Sequence, residues 1–167
     1  MSNTPENLQS AFAGESQANR RYLFFADKAE KEGHPQIARL FRATADAETV
    51  HARSHLGAMG GIGSTKDNLG AAIEGEDYEF TQMYPGFIKQ AESENKKRAQ
   101  ISFEFANEVE KVHHDLYQKA LEALEAGGQP KDEPYFVCQV CGYIVGGEAP
   151  ETCPICGAPL SQFKRVE

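Results

Sequence analysis

The sequence predicts an all-α four-helix bundle followed by a small four-cysteine domain with short β-strands. Three observations lead there. Four long segments carry apolar residues at helical spacing. Short turn-rich stretches join them, as an antiparallel bundle requires. All four cysteines fall within the last 30 of 167 residues, where the helical pattern has ended.

The first segment opens at Thr4-Pro5-Glu6, where Thr4 can cap a helix and Pro5 suits its first position, and closes near Gly33-His34-Pro35. The second runs from about Pro35 to Met59 and stops at Gly60-Gly61. The third starts after Ser64-Thr65 and reaches about Ser93, with Pro85 inside it, where a kink or a local break is expected. The fourth spans about Lys96 to Ala126 and ends at Gly127-Gly128. The stretch GGQPKDEP has no apolar residue able to anchor a core and reads as a linker. Beyond it Val137, Val140, Tyr143, Ile144, Val145 and Ile155 lie among glycines and prolines, which predicts short strands and tight turns. The expected domains are therefore a bundle over 1–126, a linker over 127–134 and a small domain over 135–167.

Charge and composition exclude several function classes. With 25 Asp and Glu against 17 Lys and Arg, the net charge of −8 repels nucleic acid and anionic membrane. No stretch approaches the ~18 apolar residues of a membrane span, and Met1 to Phe12 lack the features of a signal peptide. A cytoplasmic protein is expected. Cysteines clustered this tightly cannot staple a secreted fold and read as one local metal site.

The inward stripes carry the chemistry, because each is interrupted near its centre by a ligand-type residue. Glu15 stands among Leu8, Phe12, Ala18 and Tyr22 in the first helix. The second offers Glu48, His51 and His55, the third Glu76 and Glu79, and the fourth Glu110 and His113. Isolated buried carboxylates cost several kcal/mol each even after relaxation, so five facing one another require positive charge between them. Two divalent cations meet that need, and Glu from one helix with Glu-x-x-His from another is how bundles build di-iron or di-manganese sites. Residues three apart share a helix face, so Glu48 with His51, and Glu110 with His113, can address neighbouring metals. One Glu-x-x-His is common on solvated faces; two copies centred in apolar stripes are not. His34 in a turn, His114 beside a better-placed ligand, and His55 as a hydrogen-bonding core residue are set aside.

Cys138-Gln-Val-Cys141 and Cys153-Pro-Ile-Cys156, 11 residues apart, form paired knuckles with tetrahedral sulfur coordination implied. The spacing suits a zinc ribbon as well as a mononuclear iron centre. A redox site in the preceding bundle favours iron, which cycles between Fe(II) and Fe(III) whereas zinc does not.

With GES at 14–16, ETVH at 48–51, NLGAAIEGEDYEFTQMYP at 68–85, VEKVHHDLY at 109–117, YFVCQVCGYIV and CPICGAP, the chain resembles the rubrerythrin family along its whole length. That resemblance implies a ferritin-like di-iron bundle and a rubredoxin-like domain, with two bundle irons and one four-cysteine iron per chain. It implies that Glu48 and Glu110 bridge the irons, that Glu76 and His113 complete one of them, and that Glu15 binds the other. Glu79 matches an extra carboxylate that exchanges with His51 on reduction, and Tyr22 and Tyr84 match tyrosines that hydrogen-bond around the site. The implied activity is reduction of hydrogen peroxide to water, in oxidative-stress defence. Electrons would come from NAD(P)H through a separate rubredoxin reductase, or from rubredoxin, because the chain has no dinucleotide fingerprint. A ferritin-like ferroxidase handling iron is the alternative, and a zinc ribbon on a merely structural bundle is a third reading.

The linker's eight residues span at most ~26 Å and begin ~20 Å beyond His113. Electron transfer from a chain's own module would require folding back. The resemblance implies instead a homodimer in which one subunit's small domain lies beside the other's di-iron site.

Overall fold

Helix boundaries follow from local chemistry. In the computed structural model, which describes residues 3–166, α1 spans Thr4–Lys31, α2 Pro35–Ala58, α3 Thr65–Tyr78, α4 Tyr84–Ser93 and α5 Lys97–Glu125. The outer ends of the expected domains, residues 1, 2 and 167, lie outside the described residues. The cap of α1 is Asn3 rather than Thr4. Its side chain accepts from the Glu6 N–H while the Glu6 carboxylate accepts from the Asn3 N–H, so the reciprocal box begins one residue earlier and Thr4 becomes the first helical residue. Ser64 and Asp67 build the same box at the start of α3.

The chain divides into two compact units, Met1–Gly63 and Ser64–Glu167. In the first, α1 packs on α2 along a seam of small side chains: Ala18, Ala26 and Ala29 from α1, Ala38 and Ala45 from α2, all buried. Alanines let the two backbones approach closely, and Phe41 closes the cluster at one end. Asn19 crosses the seam, its amide donating to the Ala45 carbonyl at 2.8 Å and to the Thr49 hydroxyl at 2.9 Å.

In the second unit α3 and α4 pack on α5. The irregularity expected at Pro85 is a π-turn over Glu79–Met83, placed just before the proline. The Tyr84 N–H donates to the Glu79 carbonyl, five residues back, and the Thr81 hydroxyl takes up the Asp77 carbonyl at 2.6 Å. A wider turn satisfies backbone groups that an α-helix entering a proline would leave free.

After residues 127–134, which form neither helix nor strand, come β1 (Tyr135–Cys138), β2 (Ile144–Gly146) and β3 (Phe163–Val166). They make an antiparallel sheet of order β2-β1-β3, with Phe136 opposite Val145 and Arg165. The predicted architecture of four long helical segments followed by short strands is therefore present. Among the described residues no helix is long and apolar enough to cross a membrane.

Candidate metal centres

The sulfur site is built from two equivalent turns. The Gly142 N–H donates to the Cys138 carbonyl and the Gly157 N–H to that of Cys153, each at 2.9 Å, while Cys138 and Cys153 donate back to Tyr143 and Ala158. Gly142 and Gly157 sit at φ +90° and +76°, where a side chain would be strained. The turns bring all four sulfurs within 4.8 Å of one another, with Cys138–Cys156 at 3.7 Å and Cys141–Cys153 at 3.6 Å. Thiolates ~2.3 Å from a central ion in a tetrahedron stand ~3.8 Å apart, whereas disulfide sulfurs are ~2.05 Å apart. The spacing is that of four ligands round one ion. Burial opposes ionisation of Cys138, yet the N–H groups of Cys141 and Val140 and the Cys156 thiol outweigh it and bring that thiol down to about 7. Burial pushes Cys141 and Cys156 up, a cost that a cation at the centre removes.

Two further clusters join carboxylates to imidazoles, one in each unit. Glu15 of α1 meets Glu48 and His51 of α2; Glu76 of α3 meets Glu110 and His113 of α5; within each trio the ligand atoms lie within 4.8 Å. Their geometries match. His51 Nδ1 lies 3.0 Å from Glu48 and 3.8 Å from Glu15, and His113 Nδ1 lies 2.7 Å from Glu110 and 3.9 Å from Glu76. Donors held ~2.1 Å from one ion stand roughly 3 to 4 Å apart, so each trio fits a single cation.

The correspondence extends outward. Tyr22, Phe25 and Phe41 form a ring cluster in the first unit, with centroids 5.6 to 6.3 Å apart, and Tyr84, Phe87 and Phe103 form another in the second at 5.5 to 6.3 Å. Each matching pair, including Glu48 with Glu110 and His51 with His113, is 62 positions apart; Glu15 and Glu76 are 61 apart. The second half thus has one extra residue between its first carboxylate and its tyrosine. The π-turn that opens with Glu79 absorbs it.

The members of the second trio shift one another's ionisation. Burial, then the neighbouring Glu110, raises Glu76 to about 7, while Glu110, despite burial, is lowered by its bonds from His113 and Glu76. His113 is raised by its bond to Glu110 in spite of burial. Glu79 is raised by burial and then by Glu110, and Tyr84 by burial and then by Glu79, Glu110 and Glu76, which brings both within reach of the trio's field.

Among the described residues no charged side chain is fully buried; the Glu110 side chain is 15% exposed, Glu76 20% and Glu15 32%, and His51 is 56% exposed. A face directed inward on a helix is shielded without being sealed, so desolvation is partial.

Other expected residues fall as follows. Tyr22 and Tyr84 are members of the ring clusters. His34 occupies the cap position of α2, and the His114 ring stands edge-on to Phe80 at 5.6 Å. Residues that sequence reasoning missed are Gly142 and Val109. The His113 Nε2–H donates to the Gly142 carbonyl at 3.2 Å, so the module does fold back onto its own α5. Gly142 directly follows Cys141, and its position in the C-x-x-C-G turn was the available signal.

Comparison with known proteins agrees with this geometry. A family model described as Rubrerythrin matches residues 6–121, and one described as Rubrerythrin, rubredoxin-like domain, matches 136–164. Rubrerythrin-2 of Clostridium acetobutylicum is 36% identical, covering 96% of this chain and 95% of that protein. Nigerythrin of Nitratidesulfovibrio vulgaris is 39% identical over 96% of this chain and 85% of its own. A solved structure titled "Fully reduced state of nigerythrin (all ferrous)" superposes with a TM-score of 0.59 at 36% identity, covering 99% of this chain and 88% of that one. The chain belongs to the rubrerythrin family, whose members carry a di-iron site and a rubredoxin-like iron held by four cysteines.

Proposed function

We propose that the chain is a di-iron peroxidase that reduces hydrogen peroxide to water in the cytoplasm, as a homodimer, in defence against oxidative stress. Electrons enter through the four-cysteine iron from an NAD(P)H-dependent rubredoxin reductase or from rubredoxin. Glu15, Glu48, His51, Glu76, Glu79, Glu110 and His113 hold the iron pair, and Cys138, Cys141, Cys153 and Cys156 hold the single iron. When bound, the iron pair supplies two electrons to one substrate molecule.

One observation carries this reading. His113 is bonded at Nδ1 to the carboxylate trio and at Nε2 to the carbonyl of Gly142, the residue after a sulfur ligand. An unbroken route of covalent and hydrogen bonds therefore joins the thiolates to the carboxylates, which a storage protein does not need. The same bond fixes the imidazole tautomer: with its proton on Nε2, His113 presents the Nδ1 lone pair as a ligand. Tyr84, kept as the neutral phenol by burial and by three carboxylates, can donate its O–H to a substrate oxygen. Glu79 on the π-turn lies in the same field and serves as the exchangeable carboxylate.

The test is rapid mixing of the fully reduced protein with hydrogen peroxide or with dioxygen. Reoxidation by peroxide is expected to be about a hundredfold faster, with Glu79→Ala slowing it about tenfold while the thiolate-to-iron absorption persists. Dioxygen acting as fast as peroxide would establish the iron-oxidising alternative instead.

A further inference from the structure

Four residues of α5, Phe103, Asn107, Glu110 and His114, recur at intervals of four, three and four and so share one stripe of the helix. Three of them meet the segment 76–84: the Phe103 ring stands 6.2 Å from that of Tyr84, Glu110 joins Glu76 in the second trio, and the His114 ring lies 5.6 Å from that of Phe80. Asn107 sits between Phe103 and Glu110 in this row, so it faces the same segment, whose π-turn packs on α5. Its amide oxygen, Oδ1, is sealed from solvent and has no hydrogen-bond partner. A sealed carbonyl without a donor is unfavourable, and its retention calls for a donor that binds there. The position itself does not require an amide, because its counterpart in the first unit, 62 residues earlier, is the fully buried Ala45.

Tyr84 runs along the same row. Its ring packs on Phe103, while burial and then the charges of Glu79, Glu110 and Glu76 act on its hydroxyl, which therefore lies between the levels of Phe103 and Glu110, where Asn107 stands. A phenol O–H that gives a hydrogen bond and an amide carbonyl that accepts one are matched to a small molecule carrying both functions. Hydrogen peroxide has two O–H groups and lone pairs on both oxygens; dioxygen has no hydrogen to give. We infer that Asn107 is a specificity-determining residue: its Oδ1 accepts a hydrogen bond from one O–H of hydrogen peroxide while Tyr84 donates to the other oxygen, and dioxygen is disfavoured because it leaves the carbonyl without a partner. The inference rests on the peroxidase reading above and deepens it, naming the group in this chain that prefers peroxide. In the reaction hydrogen peroxide takes two electrons from the reduced iron pair and two protons; the O–O bond breaks and two waters leave, with Asn107 supplying neither proton nor electron.

The experiment mixes the fully reduced, iron-loaded full chain with hydrogen peroxide or with dioxygen, in wild type, in Asn107→Leu, which keeps the bulk without the carbonyl, and in Asn107→Ala, which copies the first unit. Both substitutions are expected to slow reoxidation by peroxide about tenfold, the effect of one lost hydrogen bond, and to leave reoxidation by dioxygen within about twofold. A purely structural residue would move both rates together. Urea unfolding of the oxidised, iron-loaded protein without peroxide gives a readout that needs no turnover: the midpoint of Asn107→Leu should be no lower than that of wild type, because the carbonyl it removes has no partner there. Equal slowing with both oxidants, an unchanged peroxide rate, or a lowered midpoint for Asn107→Leu, as a structural water held by Oδ1 would give, overturns the inference and leaves the peroxidase reading intact. Wild type that reacts with dioxygen as fast as with peroxide overturns that reading first, so the two failures are distinguishable.

Discussion

Val109 joins the helices of the second unit to the sulfur module, and its truncation to alanine measures that joint. The side chain is 1% exposed, and a Cβ on Gly142 would stand 3.7 Å from its Cγ1, so its methyls lie beneath the turn whose carbonyl receives the His113 proton. Val109→Ala removes two methyl groups at ~0.8 kcal/mol each in transfer free energy. The unrelaxed void, on the order of 40 Å³ at ~24 cal/mol per Å³, adds ~1 kcal/mol. A loss of about 2 to 2.5 kcal/mol is expected. Guanidinium titration of the iron-loaded protein, followed at once by helical circular dichroism and by the thiolate-to-iron band, should show both signals moving to lower denaturant. Oxidation of the four-cysteine iron by peroxide should slow as well, since the hydrogen bond to His113 loses its backing. A loss below ~0.5 kcal/mol, or a thiolate band whose midpoint stays while the helices weaken, would refute the role given to Val109.

Two further predictions concern the separate units. In the metal-free chain Glu76 is raised to about 7, above its ordinary range, so the folded state holds that proton more tightly than the unfolded one; this group's contribution to stability falls as pH rises from about 4.5 through 7. Metal uptake must displace the proton, so anaerobic Fe(II) titration with a pH indicator should record proton release near pH 6 and weakening affinity towards pH 5; pH-independent uptake would contradict it. Asn19→Ala removes the two bonds that cross the α1–α2 seam and should cost ~1 to 1.5 kcal/mol in urea unfolding, with no change in the thiolate-to-iron band.

What could be read in the sequence was whatever depends on short spacing. Glu48 with His51 and Glu110 with His113 are close because three residues nearly complete a helical turn, and the sulfurs converge because each C-x-x-C closes its own turn. Contacts between distant segments carried no such signature. The His113–Gly142 bond spans 29 residues and depends on how eight linker residues turn back, which chain length permits but does not specify. Partial burial was equally hidden, because a helical stripe gives direction and not depth. The π-turn had an indirect sign in Pro85, but its cause is a change of spacing between the two halves, from an offset of seven positions for Glu15 and Tyr22 to one of eight for Glu76 and Tyr84.

That single added residue makes the segment sensitive to length in a way that composition does not disclose. Deleting one position within 79–83 would let an ordinary α-helix run through and restore the arithmetic of the first half. Because the π-turn absorbs the extra residue, the turns on either side would keep their faces towards α5, and only the bulge that opens with Glu79 would be lost. Homologues that keep Glu79 are therefore expected to hold the residue count of this stretch constant while varying side chains at 80–83, and a shortened variant would resemble two copies of the α1–α2 hairpin without the bulge that carries Glu79.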